Sequence, residues 1–348
     1  MGDDRLVPRD SAVYQEFARL HQVARGMRPT GVDRWNRQLY ATDTKRWGGF
    51  DPKTGSIRLS EDGVLRHLTG SVSKVDAAEQ AQALATVLHE LTHAGMETDA
   101  PNEPNAVRSL HSQGAMEGIA ELRALNDFIP FSVSAGYPGL RLPAPQRAGA
   151  YAAMDSLVTQ ASGPAKDRYA LIREAVHGPG VMHFDQLSDG VVRNRLAEVV
   201  PHRTEDQLAV RAALIQTMTH DHWPTLPDVS AGTGTAVAED IRRRLNAKVE
   251  EIRHHYQAHP RQPFPADFPN QHAVSLAAQS QPSPSAPTTA VTESKQQEVA
   301  TMRFLDGQAP AAHATRVAPS LGDGSRGAGA PGVPPVGRAT PGLDRGAD

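Results

Sequence analysis

Cysteine is absent from the 348 residues of this chain, which excludes disulfide bonds and metal sites built on thiolates. A metal ion here would need histidine and carboxylate ligands instead. Aromatic residues are also scarce, at 5% of the sequence, and hydrophobic residues amount to 39%. Such a low content of aromatic and hydrophobic residues is typical of a chain in which a folded domain is joined to a disordered segment.

The sequence also lacks an excess of either charge, with a formal net charge of −3. A basic bias is expected in proteins that bind nucleic acids or membrane surfaces, so we expect neither partner. No apolar run approaches the length of a membrane span, and the first ten residues have no apolar core of a secretory signal. We therefore expect a soluble protein that is cytoplasmic or is exported by a route that needs no signal peptide.

Low complexity distinguishes the C-terminal part of the chain. Residues 258–348 consist mainly of Pro, Ala, Gly, Ser, Thr and Gln, which predicts a disordered tail with at most a short helix at 296–305. The tail is a candidate for binding a partner protein. The remainder, 1–257, is expected to form one domain, with an α/β lobe at 1–130 and a helical lobe at 131–257.

Hydrophobic periodicity and turn signals predict an α+β fold with three parts. The first is a helix followed by a small, mostly antiparallel sheet, at 11–27 and 35–59. The second is a central helix, which follows a connection with a short helix at 60–70 and is capped by Asp76. The third is helical, with helices predicted at 105–126, 146–160, 165–176, 184–199, 205–220 and 237–256 and a loop at 128–145.

The central helix carries the most informative pattern in the chain, His89-Glu-Leu-Thr-His93. Two histidines four residues apart lie on one face of a helix, where both imidazoles can bind one metal ion. Glu90 leans toward the same side without being a ligand, and its carboxylate can take a proton from a water molecule on the ion. This is the H-E-x-x-H pattern of zinc metalloproteases.

A catalytic zinc ion needs a third protein ligand, and Glu117 is the strongest candidate. It lies in the segment Glu117-Gly-Ile-Ala-Glu121, on a helix of its own. Gly118 would let that helix approach the central one, because it has no side chain. Glu121, one turn later, could accept a hydrogen bond from a ligand histidine and fix its tautomer.

Together the two segments resemble the gluzincin metallopeptidases, which include thermolysin-like and peptidase-MA-like proteins. The resemblance implies a zincin-like fold, one Zn2+ ion and the hydrolysis of peptide bonds in a peptide or protein substrate. It makes His89, His93 and Glu117 the zinc ligands, Glu90 the general base and Glu121 the acid that supports a ligand. It also implies that one strand borders the cleft and pairs with an extended substrate; the residues that match this strand are Ser56, Ile57, Arg58 and Leu59.

Two features of the expected site stay open. Asp99 competes with Glu117 as the third ligand, since it stands six positions after His93, the spacing of metzincin-type sites. Those sites need a glycine where this chain has Met96. The group that stabilises the negative charge of the reaction could be one of several side chains; the candidates are Tyr137, Tyr151, His177, His183, His220 and His222, with His220-Asp-His222 the most suggestive.

The sequence therefore predicts a zinc-dependent metalloendopeptidase in which Glu90 takes the proton of a zinc-activated water molecule. One alternative is a non-catalytic zinc-binding interaction protein. Its zinc ion would be coordinated by a fourth protein ligand, such as Asp99 or His111, in place of water. Another is a protease-type toxin or effector module that is delivered to another cell, with the tail as the link to its delivery partner.

Overall fold

A small sheet and nine α-helices make up the part of the chain that the structure, a computed structural model, describes: residues 4–44, 47–69, 76–142 and 144–271. The fold is therefore mixed α and β, as the sequence predicts. Among these residues, no helix combines the length and the apolar character needed to cross a membrane.

The four strands form one mixed sheet in the order β1-β2-β4-β3. They are β1 (Arg5–Leu6), β2 (Leu39–Thr42), β3 (Gly48–Phe50) and β4 (Ile57–Ser60). Two of the three pairings are antiparallel, whereas the central pair, β2 and β4, is parallel. Because β4 lies between two neighbours, the segment expected to border the cleft as an edge strand is an interior strand. The edge on that side of the sheet is β3.

Three helices pack with the sheet to form the first hydrophobic core. Helix α1 (Ala12–Met27) begins at Ser11, whose hydroxyl accepts a hydrogen bond from the backbone N–H of Tyr14. A π-helical turn and the short helix α2 (Arg66–Thr69) occupy the predicted connection. Helix α3 (Ala77–Ala94) begins at Asp76, as predicted. Fully buried side chains fill the space between helices and sheet, among them Phe17, Leu20, Leu39, Ile57, Leu59, Leu84 and Leu88.

Helix α4 (Leu110–Ser134) joins this core to a second one. Its middle part contributes Ile119 and Leu122 to the second core, and its last turns contribute Phe128 and Phe131 to the first. The predicted loop at 128–145 is therefore wrong over its first residues. The sequence signal for that loop was its content of proline and glycine. The helix accommodates Pro130 because Phe128 and Phe131 are almost completely buried and hold the last turns in place.

The remaining helices surround the second core. They are α5 (Ala148–Ala161), α6 (Arg168–His177), α7 (His183–Val191), α8 (Thr204–Met218) and α9 (Ala231–Ala258). Trp223 and Phe184 meet edge to face at its centre, with ring centroids 5.6 Å apart. Trp223 belongs to a 3-10 segment, Trp223–Asp228, that packs against α4 and α5.

The residues that follow α9 pack back on the fold. Phe264 is buried, and its backbone N–H donates to the hydroxyl of Tyr256. The side chain of Asn270 donates to the backbone oxygens of Pro101 and Glu103. The first residues of the predicted tail thus belong to the packed structure. The rest of that prediction, including the short helix at 296–305, lies outside the described residues.

Candidate metal centre

Helix α3 presents both histidines of the motif toward α4. The helix is largely buried from Gln80 onward, where it lies against strand β3 and α4. The side chain of His89 is 4% exposed, whereas that of His93, one turn later and near the end of the helix, is 12% exposed. Their rings meet at an angle with centroids 4.9 Å apart, as expected for residues at i and i+4. One face of α3 therefore carries two imidazoles at the rim of the core.

Helix α4 supplies the two acidic side chains. The glycine that follows the first of them, Gly118, packs against a different helix than the sequence suggested. A side chain at Gly118 would meet α5, since a Cβ atom there would lie 2.8 Å from Cβ of Met154 and 3.0 Å from the backbone oxygen of Ala150. The glycine thus permits the close approach of α5 rather than that of α3. The expectation that Gly118 faces the central helix is wrong.

His89, His93 and Glu117 form a group that could hold a metal ion, with one ligand atom from each residue and all three atoms within 4.8 Å of one another. Nε2 of His89 lies 3.2 Å from Nε2 of His93 and 3.2 Å from Oε2 of Glu117. Nε2 of His93 lies 3.6 Å from Oε1 of Glu117. Tetrahedral ligands bound at 2.0–2.1 Å lie about 3.3 Å from one another. The spacing of these atoms thus fits a single small cation.

Glu121 holds the other nitrogen of His89. Its Oε2 lies 3.0 Å from Nδ1 of His89, and its Oε1 accepts a hydrogen bond of 2.7 Å from the backbone N–H of Gln146. Burial raises the pKa of Glu121, but the hydrogen bond and charge of His89 outweigh this effect, so that the pKa is lower than usual. A carboxylate on Nδ1 places the proton there and leaves Nε2 free to bind a metal ion.

The electrostatics of the group favour a cation at its centre. Burial lowers the pKa of His89, but its hydrogen bonds to Glu117 and Glu121 outweigh burial and raise the pKa to about 10. The same interactions, with the charge of His93, hold the pKa of Glu117 well below its usual value although burial raises it. Without a metal ion, the two carboxylates that flank His89 favour its protonated form. A divalent ion bound at Nε2 beside Glu117 would supply the positive charge instead.

Glu90 lies beside the group, at the edge strand of the sheet. It is 2% exposed, and burial raises its pKa above the usual value. Gly48 in β3 packs directly against it, because a Cβ atom at that position would lie 2.9 Å from Oε1 of Glu90. Glu90 and β3 together line a cleft of about 410 Å³ that also exposes His93 and Glu117. The apolar part of its wall consists of Phe50, Pro52, Met96, Met116 and Val181.

Arg147, which the sequence did not single out, also lines this cleft. It stands immediately before α5, and its Nε lies 2.7 Å from Oε2 of Glu117. Its neighbour Gln146 makes the backbone hydrogen bond to Glu121. Two consecutive residues therefore hold both acidic side chains of α4. No spacing rule pointed to Arg147, since it lies 30 positions after Glu117 in a region predicted as loop and helix start.

The other candidates from the sequence lie elsewhere. Asp99 accepts a hydrogen bond from Nε of Arg108 and does not belong to the metal-binding group. His111 lies 2.9 Å from the hydroxyl of Ser109 and is likewise outside the group. Neither one supplies a fourth ligand.

None of the six candidates for charge stabilisation lines the cleft. His220 pairs with Asp240, and its Nδ1 accepts a hydrogen bond from the backbone N–H of His222. Tyr137 donates to Glu16 in the first lobe. The rest lie on the helices of the second lobe: Tyr151 on α5, His177 at the end of α6 and His183 at the start of α7. The expected roles of His220, His222 and Tyr151 therefore have no support in the geometry.

Comparisons with protein-family models, with curated proteins and with solved structures find no match to this chain. The resemblance to gluzincins rests on the motif residues alone. What the described residues support directly is a three-residue group that could hold a metal ion, beside a buried carboxylate and an open cleft.

Proposed function

We propose that this protein is a zinc-dependent metalloendopeptidase of the gluzincin type. The observation that carries the proposal is that ligand atoms of His89, His93 and Glu117 converge within 4.8 Å, and that two of these residues line the same cleft as Glu90. The donor set, two imidazoles and one carboxylate without thiolate, is a common set for catalytic zinc. Zinc bound by these residues would supply the Lewis acidity that polarises a substrate carbonyl and acidifies a water molecule.

The residues of the chain have distinct tasks in this reaction. Glu90 takes the proton of the attacking water molecule and passes it to the amine of the leaving product. Its raised pKa supports this shuttle, because a carboxylate with a higher proton affinity is a stronger base. Glu121 orients His89 through Nδ1, so that Nε2 faces Glu117. The two helices that carry these residues also exclude water from the buried side of the group.

The edge strand β3 supports an extended peptide as the substrate. In the sheet, as far as the structure describes it, β3 pairs only with β4. Its own residues Gly48, Gly49 and Phe50 line the cleft. An extended chain can add to a strand edge through backbone hydrogen bonds, which recognise peptides irrespective of sequence. In this proposal β3 takes the role that the sequence gave to β4, and the sheet with α3 and α4 forms a zincin-like unit.

An open metal site favours catalysis over a structural role. Structural zinc sites are usually closed by four protein ligands. Within the described residues the group has three, and His93 and Glu117 are open to the cleft. Delivery to another cell, the compartment and a partner for the tail stay predictions from the sequence.

Metal content measured together with peptide cleavage tests the proposal. We expect one zinc ion for each chain and cleavage of some members of a broad peptide library. A chelator should stop cleavage, and added zinc should restore it. A protein that binds zinc stoichiometrically but cleaves no member of the library would instead favour the non-catalytic alternative.

A further inference from the structure

Two cavities meet at Arg147. A second pocket, of about 350 Å³, lies between the N-terminal turns of α4 and the 3-10 segment Trp223–Asp228. It shares three lining residues with the cleft beside β3, namely Gln113, Glu117 and Arg147. One of these is a member of the metal-binding group. A peptide that runs from one cavity into the other thus passes both the metal-binding group and the guanidinium of Arg147.

The guanidinium of Arg147 has more N–H donors than its contacts use. Arginine carries five N–H donors and no acceptor. In the part of the chain that the structure describes, the ion pair between Nε and Glu117 is the only polar contact of the side chain. The side chain is 27% exposed, and no hydrogen bond or ion pair within the described residues uses its terminal nitrogens. Its positive charge also acts on Glu90 and Glu121, which places it among all the acidic groups of the site.

We propose that Arg147 donates a hydrogen bond to the carbonyl oxygen of the scissile peptide bond and stabilises the negative charge that develops there. The assignment rests on the proposed peptidase function. The carbonyl that is cleaved must lie at the metal-binding group, and Arg147 contacts a member of that group at 2.7 Å. Donors aimed at a developing charge in a site shielded from water are worth more than they are in solution. Arg147 would fill the role for which the sequence offered histidines and tyrosines.

A purely structural role for Arg147 makes the opposite prediction for zinc. If the guanidinium only positions Glu117, its removal should weaken zinc binding and lower activity in proportion. If it acts on the substrate, zinc should bind the variant at least as tightly, because a cation that competes for Oε2 of Glu117 has been removed. The affinity for zinc therefore separates the two roles without reference to activity.

Arg147→Met and Arg147→Lys test the assignment, with Arg242→Met as a control for the lost charge. Arg242 is exposed on α9, does not line the cleft and pairs with Glu239. We expect Arg147→Met to lower kcat by about 100- to 1000-fold, as the loss of a donor to a developing oxyanion does. The KM of the zinc-loaded variant should change much less. Arg147→Lys should recover part of kcat, because it keeps the charge but not the planar set of donors.

Inhibitor binding gives a readout that does not depend on turnover. A phosphinic peptide carries the charge of the tetrahedral state, whereas the product peptide that begins with the new amine carries no negative charge at that position. Arg147→Met should weaken the binding of the phosphinic peptide by about the factor that it removes from kcat/KM, with little effect on the binding of the product peptide. A variant that retains kcat, or that loses activity only as it loses zinc, overturns the assignment while the peptidase function stands. A zinc-loaded parent that cleaves no peptide removes both.

Discussion

Glu121 and His89 meet across two helices, with Oε2 of the carboxylate 3.0 Å from Nδ1 of the imidazole. Both residues are almost completely buried, at 4% and 3% exposure. Because the carboxylate also accepts a hydrogen bond from the backbone N–H of Gln146, it is held from two sides. The contact selects one tautomer of His89 and turns its Nε2 toward His93 and Glu117. It thereby links the packing of α4 to the orientation of a metal ligand on α3.

Glu121→Gln should weaken zinc binding by about 10- to 100-fold, as is usual when a carboxylate that supports a ligand histidine is lost. The reason is that a neutral amide holds the Nδ1–H of His89 less strongly and can also present its N–H₂ group to the ring. Competition with a chelating dye measures the affinity. Glu250→Gln, an exposed residue on α9 that pairs with Arg253, is the matched control. Equal affinities for the two variants would show that Glu121 does not support the ligand.

Gly48→Ala should lower kcat while zinc stays bound. The added Cβ would lie 2.9 Å from both Oε1 of Glu90 and Cγ2 of Thr86, which is closer than real Cβ contacts. Displacing the carboxylate of a general base by even a fraction of an ångström costs activity, and we expect a loss of about 10- to 100-fold. Gly49→Ala, where a Cβ meets nothing within 4 Å, should cost clearly less. Steady-state kinetics compare the two variants. A larger loss of kcat in Gly49→Ala than in Gly48→Ala would contradict this role of Gly48.

His183 should make the protein less stable as the pH falls. It is fully buried, and burial lowers its pKa to about 4, although a hydrogen bond to the backbone oxygen of Ala175 opposes the shift. The unfolded chain takes up this proton near pH 6.5, whereas the folded chain does so only near pH 4. The contribution is therefore fully present above pH 6.5 and is lost between pH 6.5 and 4, to a total of about 3 kcal/mol.

Chemical denaturation in the presence of chelator, at a series of pH values from 7 to 4, measures this dependence. His183→Gln should flatten the curve by up to about 1.4 kcal/mol per pH unit, the effect of one proton. Only the slopes are compared, so a lower overall stability of the variant does not affect the test. Parallel curves for parent and variant would show that His183 takes up its proton equally in both states.

The sequence predicted those parts of the site that lie within one helix. His89, Glu90 and His93 have their geometry fixed by the helical repeat, and the cap at Asp76 that begins their helix is a local hydrogen bond of one chain segment. Glu117 was a candidate from its own segment and from the resemblance to a family, but its approach to both histidines is a contact between helices that spacing along the chain could not show.

What the sequence could not provide depends on the neighbours of each residue. Gly118 signals a close approach in any fold, but only the tertiary structure shows that the partner is Met154 on α5. The pattern of β4 is the same in an interior strand as in an edge strand, so its position needed the sheet order. Arg147 carries no signal at all, because an arginine before a helix is ordinary until its ion pair with Glu117 is known.

Glu90→Gln tests the central claim most directly, because the substitution keeps the shape of the side chain and removes only its ability to accept a proton. Glu90 is not a member of the metal-binding group, so zinc content should stay at one ion for each chain. Peptide hydrolysis by the zinc-loaded variant should fall by at least about 100-fold, the low end of what a general base contributes. A zinc-loaded Glu90→Gln variant that cleaves peptides as fast as the parent would contradict the account.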